Sequence, residues 1–494
     1  MKKKEQKGES DMETRIVECR EGRLRGYVEG DAAIFMGVPF AAPPTGDLRW
    51  RGPQPAEPWR GVRDALTPPP MPVQMLFPGS SQQDHLMSED CLYLNIWAPA
   101  EPKEPCPVLV WFYGGALQGG NADSPATDGR ACARDGVILV TVGYRVGLFG
   151  FMCHPDMRAE DPDGFVGNFG HRDQLAALRW LHDNVAAFGG DPGRVTVSGQ
   201  SAGSASCCAL MNAPSARGYL HGAICQSGDV FQPERDVPAA EAEGWGKALA
   251  ESFGCATLEE FRKIPFPELY AEGDPMSRRL RQVCAAVIDG AFLPDRQGEL
   301  MLRNESAPIP AILGSNLDEG SRFQGDYVSI VSERLGIPGD LYAGEGDENR
   351  QASALARDYW YGRTLAWAKI RAGDYGIPTW QYVFARRLGP MGASHGAEIP
   401  YVFDNLDASP DFGFRPEYTA EDRDLAKLMH RYWMNFVRTG DPNGEGLPVW
   451  PSKNDAPGHM RFDLVSAMEG DVMRPENETV SPATEAWMRG RMKK

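Results

Sequence analysis

Residues 194–203 read Arg-Val-Thr-Val-Ser-Gly-Gln-Ser-Ala-Gly, and this stretch decides how the rest of the chain is interpreted. Its first half, Arg194 to Ser198, has the β-branched residues of a buried strand. Its second half places Ser201 in the pattern Gly-x-Ser-x-Gly, and the apolar stretch Ser204 to Met211 can continue as a helix. A strand, a sharp turn and a helix in this order predict a nucleophile elbow, which lifts the serine hydroxyl clear of a sheet.

The pattern by itself has a second interpretation, because the chain contains 55 glycines and a chance Gly-x-Ser-x-Gly is not rare. The alternative is a tight turn with an incidental serine. A serine hydroxyl is a weak nucleophile at its free pKa, so it needs an adjacent base that a carboxylate orients. The elbow is therefore a catalytic feature only if such partners follow it in the chain.

Two loops downstream contain candidate partners, in the chain order serine, acid, histidine that is typical of a nucleophile elbow. The strand-like run Ile309 to Leu313 leads into a loop with two adjacent carboxylates, Asp318 and Glu319. The run Trp380 to Phe384 precedes a loop that contains His395. Spacing alone does not choose between the two carboxylates, because either of them follows the strand.

Histidine is scarce after the elbow, and a lone histidine usually has a structural or surface role. His430 lies inside an apparent helix and His459 lies near the C-terminus, whereas His395 lies in a glycine-flanked loop beyond a strand. This position favours His395 as the general base.

A glycine-rich loop upstream of the elbow is a candidate oxyanion hole. The strand-like run Val108 to Phe112 leads into Tyr113-Gly114-Gly115-Ala116. A tetrahedral intermediate needs backbone N–H donors from such a loop and from the residue after the nucleophile. We predict that the donors are Gly115, Ala116 and Ala202. The alternative, a turn chosen only for backbone freedom, would not require a strand before it.

The order of apolar segments indicates the fold class. Leucines at three- and four-residue spacing in His171 to Ala187 are typical of an amphipathic helix, and this helix lies between the strand-like runs Val137 to Val142 and Val195 to Val197. Strands that alternate with helices predict a mainly parallel sheet, whose ligands bind beyond the carboxyl ends of the strands. We predict a disordered polar tail over residues 1–12 and a single domain over 13–494.

Composition excludes several function classes. The formal charge of −17, from 51 basic and 68 acidic residues, argues against nucleic acid and anionic membranes as partners. No run of about 18 apolar residues predicts a membrane span, and the N-terminus lacks the apolar stretch of a secretory signal, so we expect a cytoplasmic protein. The ten scattered cysteines form no C-x-x-C and the histidines no H-E-x-x-H, so we predict neither a cofactor nor a metal.

Two longer motifs resemble the type-B carboxylesterase family, which includes the cholinesterases and the bacterial para-nitrobenzyl esterases. The segment 188–201 resembles the active-site signature of the family, and the segment 89–97 resembles its second signature. The resemblance spans nearly the whole chain. It implies an α/β-hydrolase fold, with a doubly wound central sheet and helices on both faces. It also implies hydrolysis of small neutral alkyl or aryl carboxylic esters through an acyl-enzyme, with a small-molecule ester and water as the partners.

The resemblance also assigns residues. The family's catalytic acid falls on Glu319 rather than Asp318, and its histidine falls on His395 in a His-Gly-x-Glu pattern that Glu398 completes. Ser227 resembles a serine that supports this triad from behind.

The chain departs from the family at two positions. Tyr113 stands where bacterial members often have histidine before the oxyanion glycines, although cholinesterases also have tyrosine there. Met71 stands where many relatives have the cysteine that pairs with the one at Cys91. Cys91 is therefore expected to lack its usual partner.

Other functions are compatible with the same residues. The triad can act on amides or lactones, or as an acyltransferase, because the pocket selects the leaving group. A cholinesterase-like binding protein without catalysis is a further alternative, although such proteins typically lose a triad member. The loop from Met71 to Ser88 contains no Trp or Tyr, whereas the cholinesterases that the chain resembles supply a tryptophan there to hold the quaternary ammonium. The resemblance therefore implies that neutral esters are preferred over choline esters. The oligomeric state is left open.

Overall fold

The computed structural model describes residues 13–75, 85–162, 164–230, 236–270, 285–320, 326–408 and 416–490. The predicted tail, residues 1–12, lies outside this part of the chain. The strands are β1 Thr14–Cys19, β2 Gly22–Glu29, β3 Ala32–Pro39, β4 Val62–Asp64, β5 Met71–Pro72, β6 Met87–Ser88, β7 Tyr93–Pro99, β8 Cys106–Phe112, β9 Ile138–Val142, β10 Gly190–Gln200, β11 Gly222–Gln226, β12 Asp236–Pro238, β13 Ala286–Ile288, β14 Ala311–Asn316, β15 Thr379–Phe384, β16 His459–Phe462 and β17 Ala467–Glu469.

Helices connect most of these strands. They are α1 Arg130–Arg134, α2 Gly147–Phe151, α3 Met157–Glu160, α4 Phe169–Asn184, α5 Ala202–Asn212, α6 Ala239–Ser252, α7 Leu258–Arg262, α8 Phe266–Leu269, α9 Gln297–Leu302, α10 Asp326–Leu335, α11 Glu348–Lys369, α12 Ile399–Val402, α13 Ala420–Thr439 and α14 Asn477–Gly490. None of the described helices combines the length and the apolar composition that crossing a bilayer requires.

Thirteen of the described strands form one sheet in the order β1-β2-β3-β7-β9-β8-β10-β11-β14-β15-β16-β17, with β4 paired to β2. The strands from β9 to β16 in this order run parallel. Antiparallel pairing is confined to the two ends, at β1, β2, β3 and β7 on one side and β17 on the other. The prediction of a mainly parallel α/β sheet is confirmed, and the antiparallel N-terminal strands are an addition to it.

The individual strand predictions hold with shifted bounds. Val108 to Phe112 lies within β8 and Trp380 to Phe384 lies within β15. The strand predicted over Ile309 to Leu313 begins later, at Ala311, because Pro310 has no N–H to give to the ladder. The predicted helix from His171 to Ala187 begins two residues earlier, and a 3₁₀ turn follows its end at Asn184.

Two apolar layers enclose the sheet, as the alternation of side chains along a strand requires. Every residue of β8 is buried. Its side chains Val108 and Val110 join one hydrophobic cluster, which also contains residues of α4 and α5. Its side chains Leu109 and Trp111 join a second cluster, which contains the buried face of α13. Helices therefore cover both faces of the sheet, as predicted.

Local signals fix the ends of α13. Thr419 and Asp422 form a capping box at its start, and Gly440 ends it in the left-handed conformation at φ +78°. His430 lies on its buried side, where its Nδ1 contacts the carbonyl oxygen of Val402 at 2.8 Å. This histidine is therefore buried in the packing of the helix, which is a structural position.

Candidate active site

Ser201 lies at the turn between β10 and α5, with φ +58° and ψ −121°. A non-glycine residue in this region is strained, and the surrounding structure must hold it there. The flanking glycines allow the turn. A Cβ on Gly203 would lie 1.9 Å from the carbonyl oxygen of Phe112, and one on Gly199 would lie 2.4 Å from the backbone of Gly203. The N–H of Ser201 donates to the carbonyl oxygen of Gln226 at 2.8 Å, which fixes the turn to the neighbouring strand.

The structure brings His395 and Glu319 together. The Nδ1 of His395 donates to the Oε2 of Glu319 at 2.5 Å. The Glu319 side chain is fully buried, whereas 31% of the His395 side chain is exposed. The Oε1 of Glu319 accepts from the N–H of Asn316 at 2.8 Å. The carboxylate is thus held on both oxygens.

Asp318 points away from this pair. Its carboxylate accepts two hydrogen bonds from Arg387, at 2.8 and 3.0 Å, and one from the N–H of Ala393 at 2.9 Å. The structure therefore places Glu319, and not Asp318, against the histidine, in agreement with the residue that the family resemblance selects.

The loops that carry the predicted site residues meet at one edge of the sheet, beyond the carboxyl ends of β8, β10, β14 and β15. A Cβ on Gly114 would lie 3.1 Å from the Cβ of Ser201, so the oxyanion loop packs directly on the serine. A Cβ on Gly396 would lie 3.7 Å from the Nε2 of Gln200, which places the histidine loop beside the elbow. The ring of Trp360, from α11, packs edge to face on His395 with the ring centroids 5.3 Å apart.

Two of the three predicted oxyanion donors belong to exposed residues. Gly115 and Ala116 are exposed, and Ala202 is the buried first residue of α5. The loop turns sharply, with φ +120° at Gly115, +58° at Ala116 and +62° at Leu117. Backbone N–H groups at the start of a helix and in such a turn have no partner within their own element, so they are available to an anionic oxygen.

A second buried carboxylate, that of Glu398, shares a hydrogen-bond partner with Glu319. Glu398 is completely buried and accepts from the Nε2 of Gln226 at 3.1 Å and from the Nδ2 of Asn316 at 2.6 Å. Burial raises the pKa of Glu398, and the nearby charge of Glu319 raises it further. Asn316 therefore bonds both carboxylates, through its backbone to Glu319 and through its side chain to Glu398.

Sequence reasoning missed Asn316 and Gln226. The available signal was a polar residue at the end of each of two apolar strands, since Gln226 ends β11 and Asn316 ends β14. A strand that is buried on both faces has little reason to end on an amide unless that amide has a buried partner.

Ser227 contacts the neighbouring strand β14 through its backbone. It has φ +55°, and its N–H donates to the carbonyl oxygen of Gly314 at 2.8 Å. Its Oγ is buried and has no hydrogen-bond partner among the described residues. The described contacts therefore link Ser227 to the site as the neighbour of Gln226, and they include no bond from its hydroxyl to the triad.

A cleft of about 840 Å³ adjoins the acid loop on its outer side. Asp318, Arg387 and Gly392 line it together with the first half of α11. Its charged side chains pair with one another, as Asp318 does with Arg387 and Asp347 with Arg350. Within the described ranges, no three His, Cys, Asp or Glu side chains converge as metal ligands.

Comparison with known proteins identifies the family. The model of the carboxylesterase family matches residues 13–334 and 343–476, which is most of the chain. The chain belongs to the carboxylesterase family. Its fold is the α/β-hydrolase fold of that family, and its activity is carboxylic ester hydrolysis by the serine mechanism that is general for these enzymes.

Three relatives show how far the similarity extends. The fumonisin B1 esterase of Sphingopyxis macrogoltabida is 35% identical over 461 residues, which cover 88% of this chain and 84% of the relative. The liver carboxylesterase of Sus scrofa is 34% identical over 522 aligned positions, covering 91% and 89%. The cocaine esterase of Oryctolagus cuniculus is 33% identical over 497 positions, covering 89% and 90%. The family predicted from the two signatures is confirmed.

Proposed function

We propose that this carboxylesterase uses Ser201 as nucleophile, His395 as general base and Glu319 as the acid that orients the histidine. The observation that carries the proposal is the 2.5 Å bond from the Nδ1 of His395 to the buried Glu319, at the sheet edge where Ser201 occupies a strained turn. A proton on Nδ1 leaves Nε2 as the basic nitrogen, which is the tautomer that a serine nucleophile requires.

The reaction follows from these positions. The Oγ of Ser201 adds to the ester carbonyl carbon while its proton moves to Nε2 of His395. The carbonyl π electrons move to the oxygen, and the N–H groups of Gly115, Ala116 and Ala202 stabilise that oxyanion. Collapse of the intermediate breaks the bond to the alcohol, which takes the proton from His395. Water then releases the acyl group from Ser201 by the same steps. Glu319 holds the imidazole through Nδ1 and stabilises the imidazolium.

The test is turnover of para-nitrophenyl acetate by wild type and by Ser201→Ala. We expect a burst of para-nitrophenol from the wild type, because the acyl-enzyme accumulates, and no burst or turnover above background from Ser201→Ala. Ser252→Ala, at an exposed serine that ends α6, is the matched control and should behave as wild type. A folded wild type without ester turnover would favour the non-catalytic binding protein.

The substrate class proposed here is small neutral alkyl or aryl esters, in the manner of the bacterial para-nitrobenzyl esterases. The support is the segment Met71 to Ser88, which contains no Trp or Tyr; residues 76–84 of it lie outside the described part of the chain. A cation over an aromatic face gains about 0.5–2 kcal/mol, so choline esters lack one source of selectivity here. Butyrylcholine that turns over faster than a neutral butyrate ester would contradict the proposal. Matched amides in the same series test the amidase alternative.

We propose a cytoplasmic location because the cysteines of the described residues are free thiols. The nine cysteines among the described residues are buried and free, including Cys91, which lines a small cavity together with Pro72 and Val73. Structural disulfides are rare in reducing compartments. Thiol titration of denatured, unreduced protein should count nearly all ten cysteines of the chain. A count that is short by two or more, with loss of activity in reductant, would contradict the proposal.

A further inference from the structure

The oxyanion loop needs support from outside itself. Ala116 and Leu117 are consecutive residues in the left-handed region, at φ +58° and +62°, which L-residues with side chains rarely adopt. Within the loop, the carbonyl oxygen of Gly115 accepts from the N–H groups of Gln118 and Gly119 at 2.9 and 3.1 Å. These local bonds close the turn, and they do not fix its orientation relative to Ser201.

The side-chain amide of Gln74 supplies an external attachment. Its Oε1 accepts from the N–H of Gly120 at 2.7 Å, and its Nε2 donates to the carbonyl oxygen of the same residue at 2.8 Å. Its Nε2 also donates to the carbonyl oxygen of Pro72 at 3.0 Å. Only 4% of Gln74 is exposed. A Cβ on Gly119 would lie 2.6 Å from the Oε1 of Gln74, so the loop passes the amide at close range.

A tyrosine pair holds the other end of the loop. The hydroxyl of Tyr113 donates to the carbonyl oxygen of Tyr144 at 2.7 Å, and the hydroxyl of Tyr144 donates to the carbonyl oxygen of Tyr113 at 2.6 Å. Their rings are stacked with centroids 4.2 Å apart. A Cβ on Gly120 would lie 2.1 Å from the ring of Tyr113. Gly120 is therefore enclosed between the amide of Gln74 and the ring of Tyr113.

We infer that Gln74 is a positioning residue for ester hydrolysis, because its amide fixes Gly120 and thereby the direction of the N–H groups of Gly115 and Ala116. The inference rests on the proposed function, in which these groups bind the oxyanion. Donors stabilise a developing charge only where they are already oriented towards it. Loss of the Gln74 bonds should therefore weaken binding of the transition state more than binding of the ester.

The experiment compares Gln74→Met, which removes the three hydrogen bonds at similar volume, with Gln74→Glu, which keeps the acceptor and loses the donor. Each is assayed with para-nitrophenyl acetate and with an aryl trifluoromethyl ketone. The ketone is a mimic of the intermediate, because Ser201 adds to its carbonyl carbon, the proton moves to His395 and the new oxyanion occupies the hole. Gln297→Met is the control, since Gln297 is a buried glutamine that bonds Asp236 and not the loop.

For Gln74→Met we expect kcat to fall by about 10- to 100-fold with KM changed less than about threefold, since one lost oxyanion donor costs about 10²–10³-fold. The inhibition constant of the ketone should rise by the same factor as kcat/KM falls. Gln74→Glu should show the same pattern to a smaller extent, and it keeps the test available if Gln74→Met does not fold. The control, Gln297→Met, should melt at a lower temperature than the wild type and keep its kcat and KM.

The outcomes separate this inference from the proposed function. A wild type without turnover, or a Ser201→Ala variant that retains it, would contradict the proposed function. An active wild type, together with a folded Gln74 variant that keeps its kcat or that loses kcat without weaker binding of the ketone, would contradict the inference alone. A control that shows the same paired loss would assign the effect to general stability and would also contradict it.

Discussion

Asp318 and Glu319 are adjacent in the chain, and their carboxylates occupy opposite environments. The side chain of Glu319 is fully buried and bonds His395, whereas that of Asp318 is 21% exposed and bonds Arg387, which is itself 59% exposed. The carboxylate of Asp318 raises the pKa of Arg387. The difference shows that the direction of the chain after β14, and not the order of residues along it, selects the carboxylate that serves the histidine.

Backbone contacts produce this difference. The N–H of Asp318 donates to the carbonyl oxygen of Ala393 at 3.0 Å, so Asp318 lies along the outer side of the histidine loop. The chain then turns back, and the carboxylate of Glu319 reaches the N–H of Asn316 below. One residue therefore anchors the loop that carries His395, and the next residue enters the space beneath the imidazole.

The largest expected loss of activity follows removal of Ser201 or His395, the nucleophile and the base that depend on Glu319. We expect Ser201→Ala and His395→Ala each to lower kcat by roughly 10⁶-fold in a folded protein, because the nucleophile and the base act as one unit. For the same reason the double variant should be no worse than either single variant. Steady-state kinetics on para-nitrophenyl acetate, with circular dichroism to check folding, is the measurement. Losses that multiply in the double variant would show that the two residues act separately.

Neutralisation of Glu319 tests its side of the comparison directly. Glu319→Gln removes the charge that stabilises the imidazolium, and its amide can favour the wrong tautomer of His395. We expect kcat to fall by about 10⁴-fold, as in serine proteases with the equivalent change. Added to His395→Ala, the substitution should cause little further loss. A kcat within tenfold of wild type would remove Glu319 from the proposed triad.

A third test asks whether Glu398, which lies near Glu319, carries a second buried charge. Burial and the charge of Glu319 raise the pKa of Glu398 above its usual value near 4.5. In the window above pH 4.5 the folded protein therefore binds a proton that the unfolded chain has lost. The stability contributed by this group is complete below that pH and is lost as the pH rises through the folded-state pKa.

Glu398→Gln should remove this contribution. The free energy of unfolding, measured by urea titration from pH 4.5 to 8, should fall less steeply with pH in the variant than in the wild type. The difference in slope can reach about 1.4 kcal/mol per pH unit for one proton. Parallel curves for the two proteins would show that Glu398 is ionised throughout, and that the site contains two buried charges.

The sequence could predict the parts of the site that local chemistry determines. The turn at Ser201 needs glycine on both sides, and the loop at Gly115 needs a strand before it, so both positions follow from short motifs. His395 could be chosen over His430, which lies in a helix, over His459, which lies near the C-terminus, and over His221, which precedes the acid in the chain. The antiparallel strands β1 to β3 were missed, although the two-residue turn Gly30-Asp31 between β2 and β3 is a local signal for a hairpin.

The choice of acid and its support could not be predicted from spacing. Asp318 and Glu319 follow the same strand, and only the family resemblance selected Glu319. The bond of Asn316 to Glu398 joins segments that are far apart in the chain, as does the bond of Gln74 to Gly120. Such contacts depend on where loops meet in space, and no local pattern encodes them. The single-domain division and the residue roles stay predictions.

The smallest expected effect is that of Asp318→Asn, which keeps the size of the side chain and an acceptor for the N–H of Ala393. It loses the charge opposite Arg387, and an exposed ion pair contributes about 0–1 kcal/mol, so kcat should fall less than about fivefold. Asp318→Ala sharpens the test, because it also removes the bond to Ala393, two residues before His395. One lost hydrogen bond contributes about 0.5–1.5 kcal/mol, so we expect up to about a tenfold loss of kcat. If Asp318→Asn lowers kcat more than Glu319→Gln in folded protein, Asp318 is the acid in solution. If Asp318→Ala matches Asp318→Asn, the bond to Ala393 does not position the histidine.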